Sequence, residues 1–239
     1  MSKSAFMAFV FLSITSINTA YAAIALDRTR VIYEGGSKAI SLNISNENKQ
    51  LPYLAQAWVE DHEQQKVAGP LMVTPPIQRI EPGAKSMVRI SALPEAKALP
   101  QDRETLFYFN LREIPPRSDK SNVMQIALQT KVKLFYRPAS IVTKLGAVWQ
   151  NQLVLHKTAR GYQIENPTPY YITVSGISAR GKGREDNGFV PVTLAPKSRT
   201  DVKSTVYDAP VVTYINDYGG RPELVFTCVQ QRCSVNGTK

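Results

Sequence analysis

Two cysteines and two histidines are the side chains in this sequence best suited to making or breaking bonds, and their surroundings argue against catalysis. Cys228 and Cys233 lie five apart, with Gln230 and Gln231 between them. In an oxidising compartment such a pair reads as a disulfide closing a hairpin. A free thiol pair or a metal site are the alternatives, but two thiols with no neighbouring His or Asp make a poor ligand set. By chain entropy alone, so short a loop would contribute about 2 kcal/mol. His62 and His156 stand in polar stretches with no evident triad partner, which suits surface residues. No nucleophile–base pair, metal-ligand set or phosphate-cradling loop is visible. The expectation is therefore a protein that is not an enzyme, with no catalytic residue, no metal and no cofactor.

The remaining reactive groups are charges, and cations prevail. The formal net charge is +10, which in general suits nucleic acid, an anionic membrane or an acidic ligand. The nearest thing to a basic run is R-G-K-G-R at residues 180–184, whose glycines suggest a solvated loop tip. No recognition helix or stacking motif accompanies it, so no nucleic acid is expected as a partner. The address at the start of the chain agrees. Lys3 supplies a positive n-region, residues 5–17 an apolar stretch, and Ala20-Tyr21-Ala22 a small-x-small cleavage site. That apolar stretch is too short to span a bilayer, and nothing later is long enough, so no membrane span is expected. Cleavage after about Ala22 would leave 217 of the 239 residues, carrying +9 once Lys3 is gone. This is the pattern of an exported soluble protein.

The element that must position any binding group is the stretch 122–136, N-V-M-Q-I-A-L-Q-T-K-V-K-L-F-Y. Side chains of a strand alternate between its faces. One face here carries Met124, Ile126, Leu128, Thr130, Val132, Leu134 and Tyr136. The other carries Val123, Gln125, Ala127, Gln129, Lys131, Lys133 and Phe135, polar in its middle. Helical spacing would scatter the apolar residues around the cylinder. A strand of fifteen residues would span about 50 Å, so it either serves more than one sheet or offers part of its length to another molecule. A core strand buried wholly at home remains the other reading of the same alternation.

Around it the chain is punctuated into short strands. In the first part they fall at 39–44, 53–60, 78–80, 86–91 and 106–114, broken by Gly69-Pro70, Pro75-Pro76, Pro82-Gly83 and Pro115-Pro116. In the second they fall at 148–155, 162–165, 171–175, 190–194, 200–206, 211–215 and 224–228. No amphipathic helix of three turns appears. The predicted fold is all-β: two immunoglobulin-like β-sandwich domains joined by a short hinge near residues 141–146, with a cleft between them. The predicted segments are a leader at 1–22, an N-terminal domain at 23–142 and a C-terminal domain at 143–239.

Five segments carry a resemblance to a known family. They are L-D-R-T-R (26–30), L-P-Q-D-R-E-T-L-F-Y-F-N-L-R-E-I-P (99–115), I-A-L-Q-T-K-V-K-L-F-Y-R-P (126–138), E-N-P-T-P-Y-Y (165–171) and Y-I-N-D-Y-G-G-R-P (214–222). Together the chain resembles the periplasmic pilus (fimbrial) chaperones over essentially its whole mature length. Residues 178–190 fit that pattern least well, and Met124 stands where a branched aliphatic is commoner.

The resemblance implies a mechanism and a set of residues. Pilus subunits of this class lack the last strand of their sandwich, and the chaperone lends one of its own. Met124, Ile126 and Leu128 match the donor residues that enter the subunit's groove, while the later part of the strand becomes home core. Arg30 and Lys133 match the cleft pair that grips the subunit's C-terminal carboxylate; Lys131 and Arg28 do not match it. Glu104, Arg137 and Asp217 match an ionic cluster that sets the angle between the domains. The implied partners are pilus subunits (pilins and an adhesin) and an outer-membrane usher, with self-association of the free chaperone through the donor strand. The implied location is the periplasm. An exported two-domain binding protein for a glycan or receptor is the alternative from a different class.

Overall fold

The computed structural model describes residues 23–119, 122–181 and 188–235. The expected leader therefore lies outside the described residues, as does part of the 178–190 segment. Two sheets form the first half. One is ordered β1 (Ile24–Leu26), β3 (Ala39–Asn46), β8 (Lys85–Ala92), β6 (Leu71–Thr74). The other is ordered β2 (Arg30–Glu34), β10 (Gln129–Arg137), β9 (Thr105–Ile114), β4 (Tyr53–Glu60), β5 (Lys66–Val67), with β7 (Ile77–Ile80) also on β4. Alternate residues of both sheets meet in one core. Leu42, Ile44, Val88 and Ile90 come from the first; Tyr33, Phe109, Leu111 and Leu134 from the second.

The second half contains β11 (Val154–Thr158), β12 (Gly161–Asn166), β13 (Ile172–Ala179), β14 (Val192–Leu194), β15 (Ser198–Lys203), β16 (Pro210–Ile215), β17 (Glu223–Val229) and β18 (Arg232–Val235). These strands surround a second core that includes Leu155, Tyr162, Ile164, Val174 and Phe226. Its two layers are joined, because β17 changes partner along its length. Residues 223–225 pair with β16 and residues 226–229 pair with β18, which strings all eight strands into one path. The side chain at the changeover, Phe226, is fully buried. Cys228 and Cys233 face each other across the β17–β18 hairpin and are disulfide-bonded.

Two sequence expectations are corrected. The predicted strand 148–155 begins only at Val154, because Gln150–Gln152 form a 3-10 turn that tucks Trp149 and Leu153 into the core. The long strand 122–136 is also shorter than its alternation suggests. β10 starts at Gln129, and residues 123–128 belong to no sheet. The reason is where regular pairing ends: opposite Glu113, Leu128 still accepts one backbone bond at 3.0 Å but does not return it. β9 accompanies β10 only back to Gln129, opposite Arg112, and β2 covers its other edge only from Lys133 onward.

Candidate functional site

The N-terminal part of β10 leaves one edge of its sheet open. β2 runs parallel to β10 and pairs with it from Lys133↔Arg30 to Arg137↔Glu34. Upstream of Lys133 no strand among the described residues covers that edge, which leaves it open for pairing. In line with it, Met124, Ile126 and Leu128 are 86%, 66% and 44% exposed. Three apolar side chains at period two, left in water beside an open edge, form a surface with the chemistry of an unfinished core.

Arg30 and Lys133 stand where that open edge ends. As register partners in neighbouring strands their side chains share a face, turned away from the core that holds Val31 and Leu134. Arg30 is buried; its Nη1 donates to Ile215 O at 3.1 Å, and its Nε has no acceptor. Burial lowers the pKa of the guanidinium, against the pull of Asp217 and Glu104. Burial, and then the charge of Arg30, lowers that of Lys133. Among the described residues, neither cation has a carboxylate within ion-pair distance. Two desolvated positive charges side by side are costly without an anion, which is the electrostatic signature of an anion site. By contrast Lys131 is engaged at home, 2.7 Å from Glu60, and Arg28 is engaged with Asp27 at 2.7 Å. A cleft of about 670 Å³ opens beside Arg30, between β2, residues 142–149 and residues 214–218.

The far end of the same face of β10 joins the two halves. Phe135 stacks on Tyr171 with ring centroids 5.5 Å apart. Arg137 reaches Glu104 Oε1 through Nη2 at 2.7 Å and Nε at 2.8 Å, and Asp217 Oδ2 through Nη1 at 2.9 Å. Its guanidinium also lies 5.0 Å from the ring centres of both Trp149 and Tyr170. Glu104 Oε2 accepts from Tyr171 N–H at 2.7 Å. Burial pushes the Glu104 carboxyl up to about 7, although Arg137 pulls it down.

Local turns aim these groups. The Asn166 amide donates to Tyr170 O and Ala195 O, both at 2.8 Å, which holds the 166–171 turn against the cluster. Asn216 Oδ1 accepts from Tyr218 N–H and Gly220 N–H, so Asp217 projects from a closed turn. That turn needs glycine at 219: φ is +84°, and a Cβ there would fall 2.5 Å from Thr29 Oγ1.

The structure thus brings together Arg30 with Lys133, and Glu104 with Arg137 and Asp217, while the donor residues lie in line with β10. Sequence reasoning missed Trp149 and Tyr170 as the aromatic setting of Arg137, and the Phe135–Tyr171 stack between the two halves. The motif E-N-P-T-P-Y-Y contained Tyr170 and Tyr171, but nothing local says that the first meets a guanidinium and the second a phenylalanine ring. His156 does have a partner: its Nε2 lies 2.8 Å from Glu165 Oε2, which also takes Arg199 at 3.0 Å. The pair is half-buried and lies across the β11–β12 ladder, so it reads as a cross-strand contact. Among the described residues no cluster of three or more metal-ligating side chains occurs, and no helix is long and apolar enough to cross a membrane.

Comparison with known proteins is consistent over both halves. Residues 23–142 match the family described as pili and flagellar-assembly chaperone, PapD N-terminal domain, and residues 148–226 match the pili assembly chaperone PapD C-terminal domain. The chain is 60% identical to the chaperone protein PapD of Escherichia coli over 93% of its length and 94% of that protein's. It is 44% identical to the chaperone protein PmfD of Proteus mirabilis, covering 94% and 91%. Among solved structures it resembles the SafB chaperone of Salmonella enterica, determined in complex with the SafA pilin. The TM-score is 0.75 at 25% identity, over 88% of this chain and 98% of that one.

Proposed function

This chain belongs to the PapD family of pilus-assembly chaperones, and from that premise we propose how it holds a subunit. It is a chaperone of pilus subunits, and the relatives it matches are named as chaperones rather than enzymes. It lends residues 123–128, in continuation of β10, as the strand that an incomplete subunit lacks. The observation that carries this reading is the exposure of Met124, Ile126 and Leu128 beside an open sheet edge. Burying three such side chains in a subunit's groove would contribute about 5–9 kcal/mol gross, before ordering costs. Main-chain hydrogen bonds along the edge add direction.

The anchor sets register. An incoming strand that follows the open edge meets Arg30, where β2 takes over the pairing. If that strand ends there in its C-terminal carboxylate, it runs parallel to β10, as β2 does. Arg30 offers a planar donor fork and Lys133 a compact point charge. Their grip fixes which residues of the two strands lie opposite, and a slip by one would turn the donor side chains away from the groove. The Glu104–Arg137–Asp217 cluster holds the domains, taken as 23–142 and 143–239, at the angle that shapes this cleft. Processing after Ala22, action in the periplasm and delivery to an outer-membrane usher complete the reading. Subunit folding here draws on intermolecular burial, so no nucleotide is required.

Co-expression with each subunit of the same assembly system tests the proposal. A stoichiometric complex should co-purify, and pairing should protect the backbone amides of residues 123–132 from hydrogen exchange. A complex in which those amides exchange as fast as in the free chaperone would refute strand donation.

A further inference from the structure

Glu113 is a charge that the subunit-holding mechanism leaves unused. It follows Phe107, Phe109 and Leu111 on the core-facing side of β9 and is only 5% exposed. A carboxylate in such a place is costly unless hydrogen bonds and an opposite charge compensate it. Hydrogen bonds are present: Ile24 N–H donates to Oε2 at 3.0 Å, and Leu128 N–H to Oε1 at 3.4 Å. An opposite charge is not. Among the described residues Glu113 makes no ion pair with a Lys, Arg or His.

Both hydrogen-bond donors are informative. Glu113 N–H donates to Leu128 O at 3.0 Å, and a regular antiparallel pair would return the bond from Leu128 N–H to the Glu113 carbonyl. Here that N–H is taken by the carboxylate, at the residue where the β9–β10 ladder stops and the exposed segment begins. Ile24 is the second residue of the processed chain, so cleavage after Ala22 turns the neighbouring Ala23 nitrogen into an ammonium. Ala23 is itself buried, and its carbonyl accepts from Glu47 N–H at 2.7 Å.

We infer that Glu113 is the counter-ion of the processed N-terminus and, through Leu128, a positioning residue for the donor segment. One carboxylate then braces two chain segments: the start of β1 and the root of residues 123–128. The brace is complete only after processing, because the precursor has a neutral peptide nitrogen at Ala23. This rests on cleavage after Ala22.

The test compares mature wild type with Glu113→Gln, reading the N-terminus of each by intact mass. The α-amine is titrated by NMR on protein labelled at alanine, and exchange of the Leu128 amide is timed alongside. In wild type the amine should hold its proton about tenfold more tightly than in Glu113→Gln, one unit in pKa. The Leu128 amide should exchange about tenfold faster in the variant, as expected when a local closed state loses a hydrogen bond to a charged group. Should Glu113→Gln not fold, wild type with one added N-terminal residue makes the same comparison, since it moves the ammonium about 3.8 Å away. Amine titrations that coincide overturn the counter-ion, and unchanged Leu128 exchange overturns the positioning role. A mass showing a start other than Ala23 overturns the cleavage reading and the counter-ion with it.

Discussion

Changing Ile126 and Leu128 together to Ser separates a donated strand from a core strand. In the free chain Ile126 is 66% and Leu128 44% exposed, so folding buries about a third of one and just over half of the other. Full burial of such a side chain contributes about 1.5–3 kcal/mol, so the free double variant should lose at most roughly 1.5–2.5 kcal/mol. The loss should be smaller still, because unfolded chains already bury part of their apolar surface. Val132 and Leu134, farther along the same face, are 8% and 0% exposed. Ser at both should cost about 4–10 kcal/mol through cavities and buried hydroxyls, enough to unfold a domain of ordinary stability. Capture inverts the order for the first pair. Two apolar anchors lost from a groove remove about 3–6 kcal/mol gross, or more than a hundredfold in affinity. Urea melts of the free variants give the stabilities, and pull-downs of a cognate pilin give capture. A loss above about 4 kcal/mol in free Ile126→Ser/Leu128→Ser would place these residues in the home core and refute the reasoning. Normal capture with a small loss would refute it equally.

Arg30→Ala or Lys133→Ala should abolish stable subunit complexes while the urea midpoint of the free protein holds, since each removes a cation that, among the described residues, has no carboxylate within ion-pair distance. Recovery of a normal complex at physiological salt would remove that residue from the anchor. Intact mass before and after alkylation should show Cys228 and Cys233 joined and no thiol reactive without reduction; two labelled thiols in native protein would defeat this. Arg137→Ala should destabilise by about 3–5 kcal/mol, because it strands the buried Glu104 carboxylate, and a loss under about 1 kcal/mol would deny the cluster its role. Glu104 also has a pH signature. Its folded pKa of about 7 exceeds its ordinary 4.5, so its contribution is fully present below about pH 4.5 and lost as pH rises through 7. The urea midpoint of wild type relative to Glu104→Gln should therefore fall between pH 5 and pH 8, and a flat difference would contradict the shift.

Local pattern was enough for much of this protein, because a strand's side-chain period is a property of the backbone and not of its neighbours. The strand 53–60 was legible to the residue, and the strands around 39–46, 85–92 and 105–114 to within a few residues. The Cys228–Cys233 hairpin was legible from spacing, since two cysteines five apart and split by a polar pair leave few other geometries. Alternation also marked which side chains share a face within β10, where Val132, Leu134 and Tyr136 all enter the core. It did not show where β10 begins, because alternation persists whether or not a partner strand is present. Only where the pairing with β9 and β2 stops leaves residues 123–128 outside any sheet. The joining of the second half's sheets through β17 was hidden for a similar reason, as residues 223–229 read as one uninterrupted strand. The charges divide in the same way. The family resemblance singled out Arg30, Lys133, Glu104, Arg137 and Asp217, but Arg30 and Lys133 lie 103 residues apart. Only the parallel β2–β10 pairing makes them neighbours and strips their water. Glu113 was read as part of a motif and no more, because in sequence it is one carboxylate among nineteen. Tertiary structure alone turns it inward, between the first strand of the chain and the root of the donor segment.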